Sequence, residues 1–439
     1  MKKVFLLFLV LCASLATVGS VSAATTVPGG PFSSSFNIQN IGTDTASVMV
    51  EYYDATGAMV FTSSHMIEVD DVLSVYVPAV AGLVAGEYSI VISSDQPVAA
   101  TSNFSDADSG ASYSGFGEGA AEWFIPAVYD NYYAYFSEVY AQNVSDSAVD
   151  ITLSIYAPGN STPVWTNTKT AVPAKSSVNW PQKDLAELST NVSYSAIVTA
   201  TGNVVAMANI FGSGSVAAQL YSYNGFPAGA ATFYAPALYN NYYGWNAALT
   251  IQNVSTSEAS VTVDFSDGTT QYYTIPSNSS EAIYVPAVPA IAPGLLSAKV
   301  TSDNDIAVTV NISNAYNRAA TYNGVSEATT TVNAPNVMKK YYGYSSSMTC
   351  QNLGAAATTM TVTYAGSAAT ETSPSIDPGN SWEIYLPAKV AIADGYNGSA
   401  VVVSDDAQPI ACIVNSNMED APYNTQKMDQ LFSYNGVNK

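Results

Sequence analysis

Ala259-Ser260-Val261-Thr262-Val263-Asp264-Phe265, then Ser266-Asp267-Gly268, then Ala282-Ile283-Tyr284-Val285: this stretch alternates apolar and polar residues, reverses, and resumes the alternation. A period of two puts one face of an extended chain into a core and the other into water, and Val, Ile, Thr and Tyr suit that pleated surface. Ser-Asp-Gly supplies the backbone freedom and local hydrogen bonds of a reversal. The reading is strand, turn, strand. Asp377-Pro378-Gly379-Asn380 and Ser302-Asp303-Asn304-Asp305 mark further reversals, and no convincing long helix follows the first residues.

Working outward, the dipeptide Gln-Asn recurs at Gln39-Asn40, Gln142-Asn143, Gln252-Asn253 and Gln351-Asn352, with steps of 103, 110 and 99 residues between the asparagines. Each copy leads to a Pro that closes a strand (Pro78, Pro181, Pro286, Pro387), then to a shared Ser (Ser89, Ser195, Ser297, Ser399) and a strand ending in Asn (Asn103, Asn209, Asn311, Asn415). It finishes on Tyr113-Ser114-Gly115, Tyr223-Asn224-Gly225, Tyr322-Asn323-Gly324 or Tyr434-Asn435-Gly436. One order of landmarks, kept four times at a domain-sized period, signals duplication. Around seven short strands per unit, each with one apolar face to bury, imply a two-sheet sandwich.

These units resemble the tandem Ig-like repeats of bacterial secreted and cell-surface proteins, such as surface-layer proteins, adhesin stalks and filament subunits. The resemblance covers residues 24–439 and implies a fold and a location, with no catalytic residues. The expected organisation is all-β: a signal peptide over 1–23, then four tandem antiparallel β-sandwiches over 24–120, 121–230, 231–328 and 329–439. Short linkers such as 117–121 and 227–231 suggest a rod or gently bent array with few contacts between distant domains.

With 48% apolar and only 10% charged residues among 439, the chain has ample material for cores. Twelve Lys plus Arg against 34 Asp plus Glu give net −22, which argues against nucleic acid or an anionic membrane surface as partner. Lys2 and Lys3, the apolar run from Val4 to Leu11, and Val21-Ser22-Ala23 form an export-signal pattern with maturation near Ala24. Cys12 follows Leu11, where lipid attachment needs a small residue. No later run is long enough for a membrane span.

His65 is the one histidine, so triads and multi-histidine zinc sites have little to draw on, and no catalytic residue, cofactor or metal site is expected. The acidic pairs Asp70-Asp71, Asp106/Asp108, Asp303/Asp305 and Asp405-Asp406 supply too few oxygens for calcium and read as turn acids. Of eight Asn-x-Ser/Thr sequons, several coincide with the landmarks and read as turn-capping asparagines.

Three units open with a Pro followed by paired tyrosines: Pro126 with Tyr132-Tyr133, Pro236 with Tyr242-Tyr243 and Trp245, and Pro335 with Tyr341-Tyr342. Two readings stay open, packing between adjacent domains and an aromatic platform on which a sugar ring stacks. Cys350 and Cys412 stand in register with Ile38, Ala141, Ile251 and with Ala100, Ala206, Val308. In an exported protein they are expected to form an intradomain disulfide, with two buried thiols as the alternative.

The first unit lacks the Tyr-Tyr pair, and residues 24–123 hold 12 acids and no Lys or Arg. The expectation is head-to-tail assembly in which this unit meets the fourth unit of a neighbour through Lys339 and Lys340, with Lys389, Lys427 and Lys439 nearby in sequence. The function expected is a secreted, non-enzymatic structural protein, an extended rod that self-associates into a surface layer or filament or joins the cell envelope. The alternative is a glycan-binding adhesin.

Overall fold

A computed structural model describes residues 4–10, 30–183, 185–418 and 430–438. The chain is all-β, built from antiparallel sheets with only single 3-10 turns besides. Among the described residues no helix is long and apolar enough to cross a membrane.

The third unit displays the plan. Its opening strand is Ala230–Asn240, followed by the Gln-Asn strand Trp245–Asn253, the hairpin Ala259–Phe265 and Thr270–Ile275, and the short strand Ser280–Tyr284. A 21-residue strand, Gly294–Asn314, then runs through both layers before the closing strand Ala319–Asn323. The first half of the long strand pairs with the hairpin and the opening strand, while its second half pairs with the Gln-Asn strand and the closing strand. Two sheets therefore face each other over Leu249, Ile251, Val261, Val263, Val300, Val308 and Val310, each at most 1% exposed. The second unit has the same continuous strand, Ser193–Gly212. The first and fourth break it into Tyr88–Ser94 with Val98–Ser105, and Tyr396–Ser404 with Ile410–Met418.

Each landmark has a physical task. The Asn of Gln-Asn is buried, and its side-chain amide ties the following turn: Asn253 Nδ2 donates to the carbonyls of Ser257 and Ile275, and its Oδ1 accepts from Ser255 N. Asn40, Asn143 and Asn352 make equivalent bonds. The sequons at Asn143 and Asn253 are thus fully buried amides. The closing Tyr staples its unit's opening strand just after the Pro: Tyr223 donates to Ala127 O, Tyr322 to Ala237 O and Tyr434 to Asn336 O, at 2.6–2.7 Å.

The Asn of the closing motif works between units. Asn224 Nδ2 donates to Ser114 O (2.8 Å), Asn323 Nδ2 to Asn224 O (2.7 Å), Asn435 Nδ2 to Asn323 O, and Ser114 Oγ to Asn435 O (3.3 Å). That chain of bonds returns to its origin, because the four closing strands lie side by side around one axis. The shared Ser makes a second such circuit. Ser89 bonds Ser177, Ser195 bonds Asn278 O, Ser297 bonds Gly379 O and Ser399 bonds Asp70 O, at 2.5–2.7 Å.

The units thus form a closed ring, which corrects the expected rod. Short linkers allowed neighbours to touch, but the closing strands turn every unit by the same step about an axis, so the fourth unit meets the first. Ser112 Oγ bonds Ser433 O at 2.7 Å and Gln430 Nε2 bonds Asp106 O at 3.1 Å across that contact. The end-to-end meeting expected between neighbouring molecules is made within one chain.

One landmark is out of register. Pro181 pairs with Glu138, the place that Tyr76, Tyr284 and Tyr385 hold opposite Ser35, Ala248 and Ser347. The buried Gln182 of the second unit then stands where Val77, Val285 and Leu386 stand in the others.

Candidate ligand clefts at the seams between units

The paired tyrosines sit on two-residue turns. Tyr132 and Tyr135, Tyr242 and Trp245, and Tyr341 and Tyr344 each exchange both backbone hydrogen bonds, at 2.9–3.1 Å. Such a turn requires positive φ at both central residues and favours Asn-Gly. Here the first central residue is a tyrosine each time: Tyr133 at φ 50°, Tyr243 at 48° and Tyr342 at 48°. A bulky side chain in the left-handed region is strained, and such strain persists where something depends on it. These three rings are 71%, 86% and 82% exposed. Each stands edge-on against the tyrosine before it, with centroids 4.7–4.8 Å apart.

Beneath each turn lies a cleft between two units. Between the third and fourth, about 600 Å³ is enclosed by Tyr239, Tyr242 and Tyr243 on one side and Glu383, Tyr385 and Asn415 on the other. Between the second and third, about 520 Å³ lies between Tyr129, Tyr132 and Tyr133 and the opposing Thr250, Tyr284 and Asn311. Between the fourth and first, about 810 Å³ separates Tyr341, Tyr342 and Tyr344 from Asn37, Tyr76 and Asn103. The same places in the repeat build all three, so they open on one side of the ring.

The walls are apolar faces with polar tips. Tyr239 and Tyr242 stack at 5.9 Å and 5°, and Tyr129 and Tyr132 at 4.8 Å and 22°. Tyr242 donates to Glu383 Oε2 across the seam at 3.0 Å. Burial and the Glu383 carboxylate push the Tyr242 phenol up to about 12, and burial raises Glu383. Tyr132 is raised by burial, by Tyr133 and by Glu281. The phenols are therefore neutral donors at ordinary pH. Asn415 Nδ2 bonds the Tyr239 hydroxyl at 3.3 Å, while its Oδ1 and that of Asn103 have no partner among the described residues.

The seam between the first and second units differs. Gly30, at φ 84°, and Pro31 replace the tyrosine turn, and Pro181 replaces the wall tyrosine. In the gap, fully buried Glu138 accepts from the Tyr140 hydroxyl at 2.8 Å and from Asn179 Nδ2. Glu87 stands near it, its carboxyl pushed up to about 7 by burial and by the Glu138 charge.

Tyr132, Tyr133, Tyr242, Tyr243, Trp245, Tyr341 and Tyr342 all line these clefts. Packing between units and cleft lining turn out to be two faces of one arrangement, since the first tyrosine of each pair is half-buried in the seam and the second is exposed. The wall tyrosines Tyr76, Tyr284 and Tyr385 complete the clefts and were missed. Their signal was a Tyr two residues before Pro78, Pro286 and Pro387.

Cys350 and Cys412 are disulfide-bonded, directly opposite on adjacent strands with Cα atoms 4.1 Å apart. The equivalent pairs are Ile38 with Ala100, Ala141 with Ala206 and Ile251 with Val308. Lys339 and Lys340 are bonded within their own unit. Lys339, only 5% exposed, donates to the carbonyls of Lys389 and Ile392, and Lys340 pairs with Asp394 at 2.9 Å. The loop carbonyls and the Asp394 carboxylate offset the cost of taking the Lys339 ammonium out of water. Lys389 pairs with Glu371, while Lys427, Lys439 and the maturation site near Ala24 lie outside the described residues. His65 bonds Ser63 at 2.9 Å on a part-exposed strand. Asp106, Asp303 and Asp405 accept bonds within turns or from neighbouring strands.

No family model and no curated protein matches the chain. Among solved structures, Thermotoga maritima 1070 is similar at 18% identity over 25% of this chain and 94% of that one, with a TM-score of 0.22. A Streptomyces avermitilis α-L-rhamnosidase complexed with L-rhamnose is similar at 9% identity over 85% of this chain and 54% of that one, with a TM-score of 0.14. Likenesses this slight carry no inference about activity.

Proposed function

We propose that this chain is a secreted, non-enzymatic carbohydrate-binding protein whose three seam clefts each receive a neutral sugar. The observation that carries the reading is the tyrosine held in a strained turn at the mouth of each of three clefts. A pyranose ring offers an apolar face that stacks on Tyr and hydroxyls that pair with amides, phenols and a carboxylate. The cleft volumes fall in the range of small-molecule sites, and the paucity of Lys and Arg there disfavours anionic ligands. Three clefts on one side of a rigid ring bind a repetitive glycan surface with avidity far above that of a single cleft. Export through the leader over 1–23 places the ring where such surfaces are found.

The test is titration of the exported protein with neutral oligosaccharides, first on an array and then by calorimetry. Three sites per chain are expected, with one lost in each of Tyr133→Ala, Tyr243→Ala and Tyr342→Ala while the melting temperature holds or rises. Absence of retention on any neutral glycan, or binding unchanged in the triple variant, overturns the reading.

A further inference from the structure

The sheet edge of the first unit is closed by a strand that does not belong to its repeat. Val4–Val10 pairs antiparallel with Tyr88–Ser94, residue by residue from Val4 with Ser94 to Val10 with Tyr88. In the other units that edge is covered by the unit's own opening strand: Ala120–Tyr129 against Ser193–Thr199, Ala230–Asn240 along Gly294–Thr301, and Thr331–Lys339 along Tyr396–Val403. Those three carry a Pro and a register shift in the middle, whereas Val4–Val10 pairs without interruption.

Register shows what maturation does here. Asn40 corresponds to Asn143, so Thr25 and Thr26 correspond to Val128 and Tyr129, and Ala24 to Ala127. Val128 and Tyr129 pair with Tyr194 and Ser193, whose counterparts in the first unit are Tyr88 and Glu87. A chain beginning at Ala24 has no counterpart of Trp123, Phe124 and Ile125, so the edge formed by Ile90, Val91, Ile92 and Ser93 loses the partner that Val4–Val10 gives it. With Val4–Val10 in place Ile90 and Ile92 are fully buried and Val91 is 4% exposed, and removing that strand leaves a row of unpaired edge groups that is costly to keep open.

We infer that leader removal opens a strand-acceptor slot on the first unit, and that the slot takes an extended, apolar, base-flanked segment of a second polypeptide. The inference rests on the reading that residues 1–23 are removed on export. The occupant's chemistry follows from the strands that fill the four equivalent edges. Trp123-Phe124-Ile125-Pro126-Ala127-Val128-Tyr129, Phe233-Tyr234-Ala235-Pro236-Ala237-Leu238-Tyr239, Val332-Asn333-Ala334-Pro335-Asn336-Val337-Met338 and Val4–Val10 contain no charged residue. Residues 24–123 carry 12 acids and no base, and the segment Val4–Val10 is itself preceded by Lys2 and Lys3. Backbone pairing supplies affinity and alternate side chains supply specificity, as in strand addition generally.

The test uses the exported chain, residues 24–439, with two synthetic peptides, Lys2–Leu11 and Ala120–Asp130, and an Ala120–Asp130 peptide carrying Ile125→Asp as control. Amide hydrogen exchange is followed at Tyr88–Ser94. Rapid exchange there in the free chain, slowed at least 100-fold by the base-flanked Lys2–Leu11 peptide, less by Ala120–Asp130 with its Glu122 and Asp130, and not by the control, is the expected result. A chain that folds only when a peptide is added gives the same answer. Full protection of Tyr88–Ser94 without peptide, or peptide binding that leaves their exchange unchanged, overturns the slot. Intact mass of the exported protein separates the two readings: retention of residues 1–23 overturns leader removal, whatever the peptides do to the truncated chain.

Discussion

The seam between the first and second units and the three tyrosine seams are built on the same scaffold and furnished differently. The shared Ser bonds across all four seams, and the Gln-Asn asparagine locks its turn in all four units. What the ring needs to close is kept four times. The aromatic set is kept three times: where the others have Tyr133, Tyr243 or Tyr342, the first unit has Gly30, and where the next wall has Tyr284, Tyr385 or Tyr76, the second unit has Pro181. A ring that closes without the turn and wall tyrosines at one seam does not require them at the others. That separation of scaffold from furnishing is the strongest argument that the tyrosines serve a ligand.

The largest effect expected on this comparison concerns the wall of one cleft. Strands Tyr344–Asn352 and Ile410–Met418 form the fourth unit's side of the cleft at Tyr243, and the Cys350–Cys412 bond joins them. The corresponding strands in the second unit, at the seam without turn and wall tyrosines, are paired at Ala141 and Ala206 by the sheet ladder with no covalent bond. Closing a loop over a separation of 62 residues is worth about 4 kcal/mol in the chain-entropy model. The variant with Cys350→Ala and Cys412→Ala is expected to lose up to that amount in denaturant unfolding and to weaken sugar binding at this cleft alone. Loss at all three clefts would show that the ring, not the wall, had failed.

Next in size is a pH effect that is largest at the odd seam. The Glu87 carboxyl is pushed up to about 7 from an ordinary 4.5, first by burial and then by Glu138. A raised folded-state value means that the folded chain holds this proton more tightly than the unfolded one. The contribution is therefore complete below about pH 4.5 and is lost as pH rises through about 7. Allowing for partial exposure of the side chain, about 1–2 kcal/mol is at stake. Melting temperature against pH is expected to fall between these values in the parent and to lose that component in Glu87→Gln. A slope untouched by the substitution would assign it to other carboxyls.

Much of this molecule was legible in its sequence. Alternation around Val261 and Val263 gave the strands, and the recurring Asn253-type landmark gave the turns it ties, because both depend on contacts within a few residues or one hairpin. Ring closure was not legible. It depends on the angle set by side-by-side packing of strands more than 90 residues apart, which no local pattern encodes. Lys339 read as a free surface cation because a buried ammonium held by loop carbonyls has the same letter as an exposed one. Pro181 read as a landmark in register because Trp180-Pro181 mimics Val77-Pro78, although it sits two places off in the pairing. The tyrosine pairs were visible, while their partners Tyr76, Tyr284 and Tyr385 belong to the neighbouring unit and became meaningful only once the seam existed.

The smallest effect expected bears most directly on why the seams differ. Tyr243 occupies the first central position of a turn at φ 48°, followed by Gly244 at 82°, and the residue best suited to the first position is Asn, whose short polar side chain tolerates the left-handed region. Since the Tyr243 ring is 86% exposed, its replacement removes little buried surface. Tyr243→Asn is therefore expected to stabilise the protein by about 0.5–1 kcal/mol, seen as a small rise in melting temperature, and at the same time to remove sugar binding at that cleft. Introducing a tyrosine at the first unit's corresponding position, Gly30→Tyr, puts a bulky side chain at φ 84° without a wall tyrosine opposite, so it is expected to lower the melting temperature by a similar amount and to create no site. If Tyr243→Asn instead destabilises the ring, the tyrosine is a packing residue and the seams differ for structural reasons. If it stabilises the ring and abolishes binding, the strain is the cost of holding an aromatic face over the cleft, and the first seam, with Gly30 in place of the tyrosine, avoids it.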